Sequence, residues 1–518
     1  MPAASCLAIT FTRRAVAELQ ERLRVLLPAE IGACAVHSFH SLGLLILRAH
    51  GATLGLAPGF RIADEPERAA ALAAALGVTE SKATRLLKTV SVLKRTGAPG
   101  DAEGAAALAA CRRLGKAQSW VDFDDLVGLA VEILQTNPAV AALWRDRFRY
   151  LCVDEFQDVD EPQCTGCSAC WPRLRAISCV IGDPNQAIYG FRGADAACFD
   201  RFGQDFPGAP TVRLGRNYRS TGTIVTAAAQ VIGAGAPTDI TRPMQEPIAL
   251  HAAPAERAEA AFVAATIERL LGGHDMLTSS SKQPRPHLGF ADFAVLYRTD
   301  AQSAALREAF DQAGIPFKKS SPALIAGQAS VRAVLQALER QQGADLPARI
   351  AAAAEQLRQD DAAPDMAALA EARRWLTALA GSGDEAVLRE QVGLSTEADF
   401  WDPRADRVSL LTMHAAKGLE FPVVFVTGLE DGLVPFSWGE SDAEEDGTAA
   451  EERRLFYVAM TRAKDRLFLS HAAQRSWRGQ IRTQSPSPFL RDIAQELVVQ
   501  HAPTVRKQRL ESRQQRLF

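Results

Sequence analysis

The 518-residue sequence predicts an α/β protein made of two parallel-sheet domains, each interrupted by a mainly helical insertion. Three observations lead there. Short apolar runs that read as buried strands recur at 5–10, 150–153, 178–181, 293–297, 423–426 and 466–470. Segments of helical period, 13–27 and 302–313 among them, follow such runs, and this alternation implies parallel strands with helices on their faces. Two Ala-rich helical stretches, about 69–111 and 320–405, break the alternation.

Composition bounds the rest. The chain is roughly three to four times the usual domain length of about 150 residues, which excludes a single small module. Its 47% hydrophobic and 23% charged content excludes a largely disordered, collagen-like or disulfide-scaffold protein. Lys and Arg total 58 against 61 Asp and Glu, a formal charge of −3, so any nucleic-acid contact must come from local basic and aromatic clusters. No apolar run reaches the roughly 18 to 20 residues that span a bilayer, so no membrane partner is expected and the protein reads as cytoplasmic. Nine cysteines in such a chain point to free thiols or a metal site before a disulfide framework.

Taken in order, residues 1–60 and 121–215 form the first sheet domain and 61–120 its helical insertion. The second sheet domain comprises 216–319 and 406–500, with 320–405 as a short helical insertion. The polar, basic 501–518 is expected to be a disordered tail. The chain opens directly on a strand followed by a helix, with no linker before it, which suggests that an upstream part of the fold is missing.

Chemistry concentrates in YLCVDEFQDVDEPQ at 150–163, where an apolar strand delivers Asp154 and Glu155 at its carboxyl end, the edge on which open α/β sheets bind ligands. Two adjacent carboxylates there suit a metal–nucleotide site, one holding Mg²⁺ through water and the next polarising an attacking water. A second strand, SCVIGD, runs into PNQAIYGFRG at 184–193, where an amide, two aromatics and an arginine share one loop. Such a loop can read phosphate on one side and stack bases on the other.

With LAITFTRRAVAELQERL at 7–23, VHSFHSLGLLILR at 36–48, VDFDDL at 121–126, VDEFQD at 153–158, GDPNQAIYGFRGAD at 182–195, NYRST at 217–221, VSLLTMHAAKGLEFPVVFVTGLEDGLVP at 408–435 and EERRLFYVAMTRAKDRLFL from Glu451, the chain resembles the UvrD/Rep/PcrA-type superfamily 1 DNA helicases. The order and spacing of these segments over nearly the whole chain make the resemblance specific. It implies two RecA-like P-loop NTPase motor domains, ATP and Mg²⁺ as cofactors, single-stranded DNA and single–double-strand junctions as partners, 3′ to 5′ movement in repair or replication, and a bacterial-type, nucleoid-associated location.

Carried over by position, the resemblance gives Asp154 to Mg²⁺, Glu155 to activation of water and Gln186 to sensing of the γ-phosphate. Arg219 and Arg462 resemble paired arginine fingers, Tyr218 the adenine stack, and Glu420, beside Gly418 in KGLEF, the acceptor of a ribose hydroxyl. Phe11, His40, Tyr189, Phe191 and Arg192 resemble single-strand contacts, Phe191 standing where Trp is more usual. Arg13, Arg14, Lys417 and Lys464 are further candidates for phosphate contact.

The family's phosphate-binding GxxxxGK[ST] loop has no counterpart in the 518 residues; the one Gly-Lys pair, Gly115-Lys116, is followed by Ala117. The expectation is therefore a motor that is catalytically incomplete as it stands, with unpaired backbone at the sheet where the phosphate-loop strand would sit. Beside it stand an ATPase-dead DNA-binding or clamp-tethered remnant and one half of a split motor. The short 320–405 insertion makes strand separation a weaker expectation than movement. Cys164, Cys167 and Cys170, with Cys179 further on, have the spacing of a thiolate metal site, but also of an ordinary helix whose cysteines act as small hydrophobes. Gln514, Leu517 and Phe518 resemble the QxxLF pattern that docks on the replication sliding clamp.

Overall fold

The architecture is that of a computed structural model of the chain. It describes residues 2–28, 34–170, 177–194, 197–235, 239–272, 288–320, 324–343, 345–359, 365–381, 384–400, 405–437, 446–477 and 479–501. The chain forms two compact units, Met1–Val212 with Ser320–Asp402, and Arg213–Lys319 with Pro403–Phe518.

In chain order the strands and helices are β1 (Cys6–Thr10), α1 (Arg13–Leu26), β2 (Ala35–Ser38), α2 (Phe39–His50), β3 (Arg61–Ile62), α3 (Glu65–Leu76), α4 (Glu80–Thr96), α5 (Ala102–Gln118), β4 (Trp120–Val121), α6 (Asp125–Thr136), α7 (Pro138–Arg147), β5 (Tyr150–Val153), α8 (Glu161–Cys170), β6 (Ile177–Val180) and α9 (Cys198–Asp205). There follow β7 (Arg216–Asn217), α10 (Gly222–Ile232), β8 (Asp239–Ile240), β9 (Ile248–Ala253), α11 (Glu256–Leu270), β10 (Phe293–Tyr297), α12 (Ser303–Ala313) and β11 (Phe317–Ser320). The helical insertion α13 (Ala329–Leu338), α14 (Leu346–Arg358), α15 (Met366–Ala380) and α16 (Glu385–Leu394) comes next. The chain closes with β12 (Val408–Thr412), β13 (Phe421–Val426), α17 (Asp446–Met460), β14 (Ala463–Ala472), β15 (Gln474–Trp477), β16 (Gln480–Thr483) and β17 (Val498–Gln500).

The first unit is built on a four-stranded parallel sheet in the order β2-β1-β5-β6, with β6 terminal among the described residues. Alternation sets its faces: Leu7, Ile9, Leu151 and Val153 are buried, whereas Cys6, Ala8, Tyr150 and Cys152 on the other face are only half-buried. The buried face packs on α2 and α6, which approach closely because position 43 is glycine; a Cβ there would lie 2.1 Å from the Leu126 carbonyl oxygen. Helix starts are fixed locally. The Thr12 hydroxyl accepts from the Ala15 N–H at 3.1 Å, and Ser38 and Ser41 cap α2 reciprocally. The insertion α3–α5 has its own small core around Leu72, Leu87 and Val90. It is tied to the start of α6 by Lys94, which lies 2.7 Å from both Asp122 and Asp125, with Arg68 also on Asp122. The four helices α13–α16 pack around Val334, Ile350, Trp375 and Leu376. They interrupt the second unit along the chain, yet by contact they belong to the first, where Arg13 donates to the Gln391 carbonyl and the Ser395 hydroxyl, both at 2.9 Å.

The second unit holds a seven-stranded sheet in the order β11-β12-β10-β13-β14-β9-β17. The pairs from β12 to β17 are parallel, and all five residues of β10 are buried, as expected of a central strand covered on both faces. Phe425 and Phe468 stack at 4.6 Å in its core. Among the described residues no single helix is long and apolar enough to cross a membrane.

Candidate functional site

In the first unit the candidate residues gather at the carboxyl ends of parallel strands. The Asp154 N–H donates to the Ile9 carbonyl at 2.8 Å, continuing the β1–β5 pairing one residue past the strand. Glu155 then adopts a left-handed backbone with φ 55°. That conformation costs a non-glycine residue about 1 kcal/mol or more and needs neighbours that hold it. They are present. Phe156 is buried and its N–H donates to the Ile181 carbonyl at 2.9 Å. Gln157 is fully buried, its amide donating to the Glu155 carboxylate at 2.5 Å while its carbonyl accepts the Asp183 N–H at 3.1 Å. One amide thus ties the turn after β5 to the turn after β6. Gly182 leaves room for it, since a Cβ there would come within 2.1 Å of Gln157 Oε1. Gln186, in a short 3-10 turn Pro184–Gln186, donates its amide to the Asp183 carboxylate at 3.0 Å.

Burial first, and the charge of Glu155 second, push the Asp154 carboxyl above its ordinary value. Two hard oxygen donors side by side, the charge of Glu155 disfavouring that of Asp154, are relieved by a divalent cation. Mg²⁺ takes one or two carboxylates and completes its shell with water and phosphate oxygens, so this donor set fits it.

The same rim carries aromatic rings. Phe11, one residue past β1, stacks on Tyr189 with centroids 5.3 Å apart and planes at 14°. Tyr189 meets Phe191 edge-on at 6.1 Å, and Phe191 is 61% exposed. At the start of α2, just beyond β2, His40 stacks on Phe123 at 3.8 Å. Because the strands are parallel, rings from the ends of β2 and β1 and from the loop after β6 lie along one edge of the sheet. The loop 183–191 therefore presents Asp183 and Gln186 near the carboxylates and Tyr189 and Phe191 in the aromatic row.

In the second unit the NYRST segment is locked to the start of β14: the Ser220 hydroxyl donates to the Ala463 carbonyl at 2.6 Å and the Thr221 N–H to the Lys464 carbonyl at 3.0 Å. This places Arg219 against Glu420, Nε to Oε2 at 2.7 Å, with Lys464 Nζ 2.6 Å from the other oxygen. Although burial opposes it, hydrogen bonds from Lys464 and Arg219 hold the Glu420 carboxyl below its ordinary value. Tyr218 is 68% exposed with Arg216 over its ring at 5.9 Å, an open aromatic face beside a cationic pair. Gly418 turns the chain just before Glu420 with φ 78°. Arg462 is 1% exposed, and its guanidinium donates to the Val458 carbonyl at 2.9 Å and the Leu419 carbonyl at 3.3 Å.

Comparison with known proteins places these two halves. The profile of the UvrD/REP helicase N-terminal domain matches residues 1–207, and that of the UvrD-like helicase C-terminal domain matches 212–335 and 385–474. The chain belongs to the UvrD/REP helicase family. It is 28% identical over 607 residues to the ATP-dependent DNA helicase PcrA of Leuconostoc citreum, across 95% of this chain and 79% of that protein. It is 32% identical over 636 residues to the ATP-dependent DNA helicase UvrD1 of Mycobacterium bovis, with the same 95% and 79%. Against UvrD2 of the same organism it is 32% identical over 542 residues, across 95% of this chain and 75% of that protein.

Within the UvrD-type N-terminal domain, the structure brings Asp154, Glu155 and Gln186 to one edge with Phe11, His40, Tyr189 and Phe191; the Arg192 side chain lies outside the described residues. Within the C-terminal domain Arg219 and Glu420 pair beside Tyr218, and Arg462 is buried behind them, donating to the carbonyl of Leu419 next to Glu420. Of the basic candidates, Arg13 is spent on α16 and Lys464 on Glu420. Cys164 is buried on α8; the side chains of Cys167 and Cys170 lie outside the described residues, and among those described no three metal-ligating groups cluster. Gln514, Leu517 and Phe518 also lie outside them. Sequence reasoning missed two site residues. Phe123 lay inside the quoted VDFDDL segment and Gln157 inside VDEFQD, but neither type advertises a stacking partner or a buried amide bridge before the fold assembles.

Proposed function

We propose that the chain works as an ATP-dependent DNA helicase or translocase, moving 3′ to 5′ on single-stranded DNA in repair or replication, and that the 518 residues by themselves are catalytically incomplete because they hold no phosphate-binding loop. The observation that carries this reading is the loop 183–191, which joins the Asp154–Glu155 turn through Gln157 to the Phe11–Tyr189–Phe191 row, so one segment serves phosphate chemistry and base stacking. Relatives named as ATP-dependent DNA helicases, PcrA and UvrD1, support it.

In this reading Glu155, oriented by Gln157, takes the proton of the attacking water, and Gln186 reports the γ-phosphate to the aromatic row. Bound at Asp154, Mg²⁺ would supply neutralisation of phosphate charge. Arg219, at the surface of the second unit, is the arginine available to a nucleotide, with Tyr218 offering its ring to the base; Arg462 holds the motif in shape. Phe11, His40, Phe123, Tyr189 and Phe191 stack on bases without regard to sequence, as a translocating motor requires. The absence of GxxxxGK[ST] from the 518 residues favours a chain that binds single strands without hydrolysing ATP until a strand–phosphate loop–helix segment is joined to it.

The test measures single-strand binding and ATP hydrolysis for the 518-residue chain and for the same chain joined to such a segment. The chain alone is expected to bind without hydrolysis, Phe123→Ala weakening binding by about 1–3 kcal/mol. The joined form is expected to hydrolyse ATP when single strands are added, and Glu155→Gln to lower kcat at least about 100-fold. Equal hydrolysis by Glu155→Gln would overturn the mechanism, and hydrolysis by the chain alone would overturn its incompleteness.

A further inference from the structure

Three cysteines, Cys6, Cys152 and Cys179, lie on strands of the first sheet and share the face opposite the buried core. Parallel pairing sets Cys152 of β5 directly opposite Cys179 of β6. The β1–β2 register, with Leu7 opposite Ala35, brings Cys6 near Cys34 in the same way. Cys152 is half-buried and Cys179 exposed, whereas Cys111, Cys164 and Cys198 are buried in cores. Adjacent strands are about 4.8 Å apart, inside the roughly 4.4–6.8 Å between Cα atoms that a disulfide spans. A thiol pair of this kind has no part in the nucleotide or base chemistry above, and two thiols on directly paired residues, one of them exposed, are a reaction site.

We propose that Cys152 and Cys179 form a dithiol modification site, closed into a cross-strand disulfide by exchange with a low-molecular-weight disulfide. Cys179 is the more exposed of the two, on the strand that is terminal among the described residues, and meets the reagent first. Its thiolate attacks one sulfur of RSSR, forming a mixed disulfide and expelling RS⁻, which takes a proton to become RSH. The Cys152 sulfur, losing its proton to solvent, then attacks Cys179 Sγ and expels the second RS⁻. Two protein thiols are oxidised, RSSR is reduced to two RSH, and one S–S bond forms as one is broken. The product fastens β5 to β6 just below the turns that carry Asp154 and Asp183.

The experiment treats the 518-residue protein with oxidised glutathione, blocks remaining thiols with N-ethylmaleimide under denaturing conditions, and maps disulfides by mass spectrometry without reduction. Digestion with trypsin and a glutamyl endopeptidase cuts after Glu155, separating Cys152 from the three cysteines of α8. The expected main product at Cys179 is the peptide linked to Cys152, returned to free thiols by dithiothreitol. In Cys152→Ser the expected product is a persistent glutathione adduct on Cys179. Cys179 joined to Cys34, to an α8 cysteine or to a second chain, or Cys152 and Cys179 both still alkylated after other thiols have oxidised, would overturn the proposal. Because the wild-type map decides on its own, the outcome does not depend on the variant folding.

Discussion

Gln157 shows how one uncharged side chain can organise a charged site. Its amide is fully buried and divides its hydrogen bonds between the Glu155 carboxylate and the Asp183 N–H, so it fixes a left-handed turn and joins two strand ends at once. Gln157→Ala removes both bonds and leaves the half-buried Asp183 N–H without its acceptor. The expected loss is about 1–3 kcal/mol of first-unit stability, read from the urea midpoint, together with a lower kcat and little change in KM for the form joined to a phosphate loop. An unchanged midpoint would show that the bridge is dispensable. At this scale residue type was legible and environment was not. Asp154, Glu155 and Gln186 stood out because carboxylates and an amide at strand ends suit phosphate chemistry. Gln157, two positions from Glu155, read as one polar residue in a polar string. Arg219 and Arg462 carry the same guanidinium, but packing leaves one at the surface against Glu420 and draws the other into the core.

Among the elements, α8 gives a test that depends on pH. Asp160 caps it, its carboxylate accepting the Gln163 N–H at 2.9 Å, while the Gln163 side chain accepts the Asp160 N–H at 3.3 Å. Burial outweighs that bond and the nearby Arg95, and pushes the Asp160 carboxyl up to about 6. A carboxyl whose native pKa lies above its unfolded value, about 3.9, binds its proton more readily in the folded state. Its contribution is therefore most favourable below about 4 and weakens as pH rises through 6. Asp160→Asn keeps the cap without the charge. The variant is expected to unfold at higher urea than the parent at pH 7.5, with the gap closing towards pH 4.5; a gap independent of pH would refute the assignment. The strand–helix alternation and both Ala-rich insertions were readable from periodicity. That α13–α16 pack with the first unit was not, because attachment depends on long-range contacts such as Arg13 to Gln391, and periodicity carries no partner information.

At the scale of the whole molecule, each unit has its own core. Phe425, with Phe468, belongs to the second, and Leu7, Ile9 and Leu126 to the first. Phe425→Ala is expected to cost about 3–5 kcal/mol and to lower one calorimetric transition while the other stays in place. A single transition moving as a whole would show that the units unfold together. The family, the order of its motifs and the two-sheet plan could be read along the chain, since spacing and chemical type survive without coordinates. Burial, pairing and exposure arose only when distant segments met: Phe123 under His40, Cys152 beside Cys179, Arg462 sealed by backbone carbonyls. The reason is physical. Local sequence sets which strands and helices can form, whereas the free energy of a buried amide, thiol or guanidinium depends on the neighbours that replace water around it.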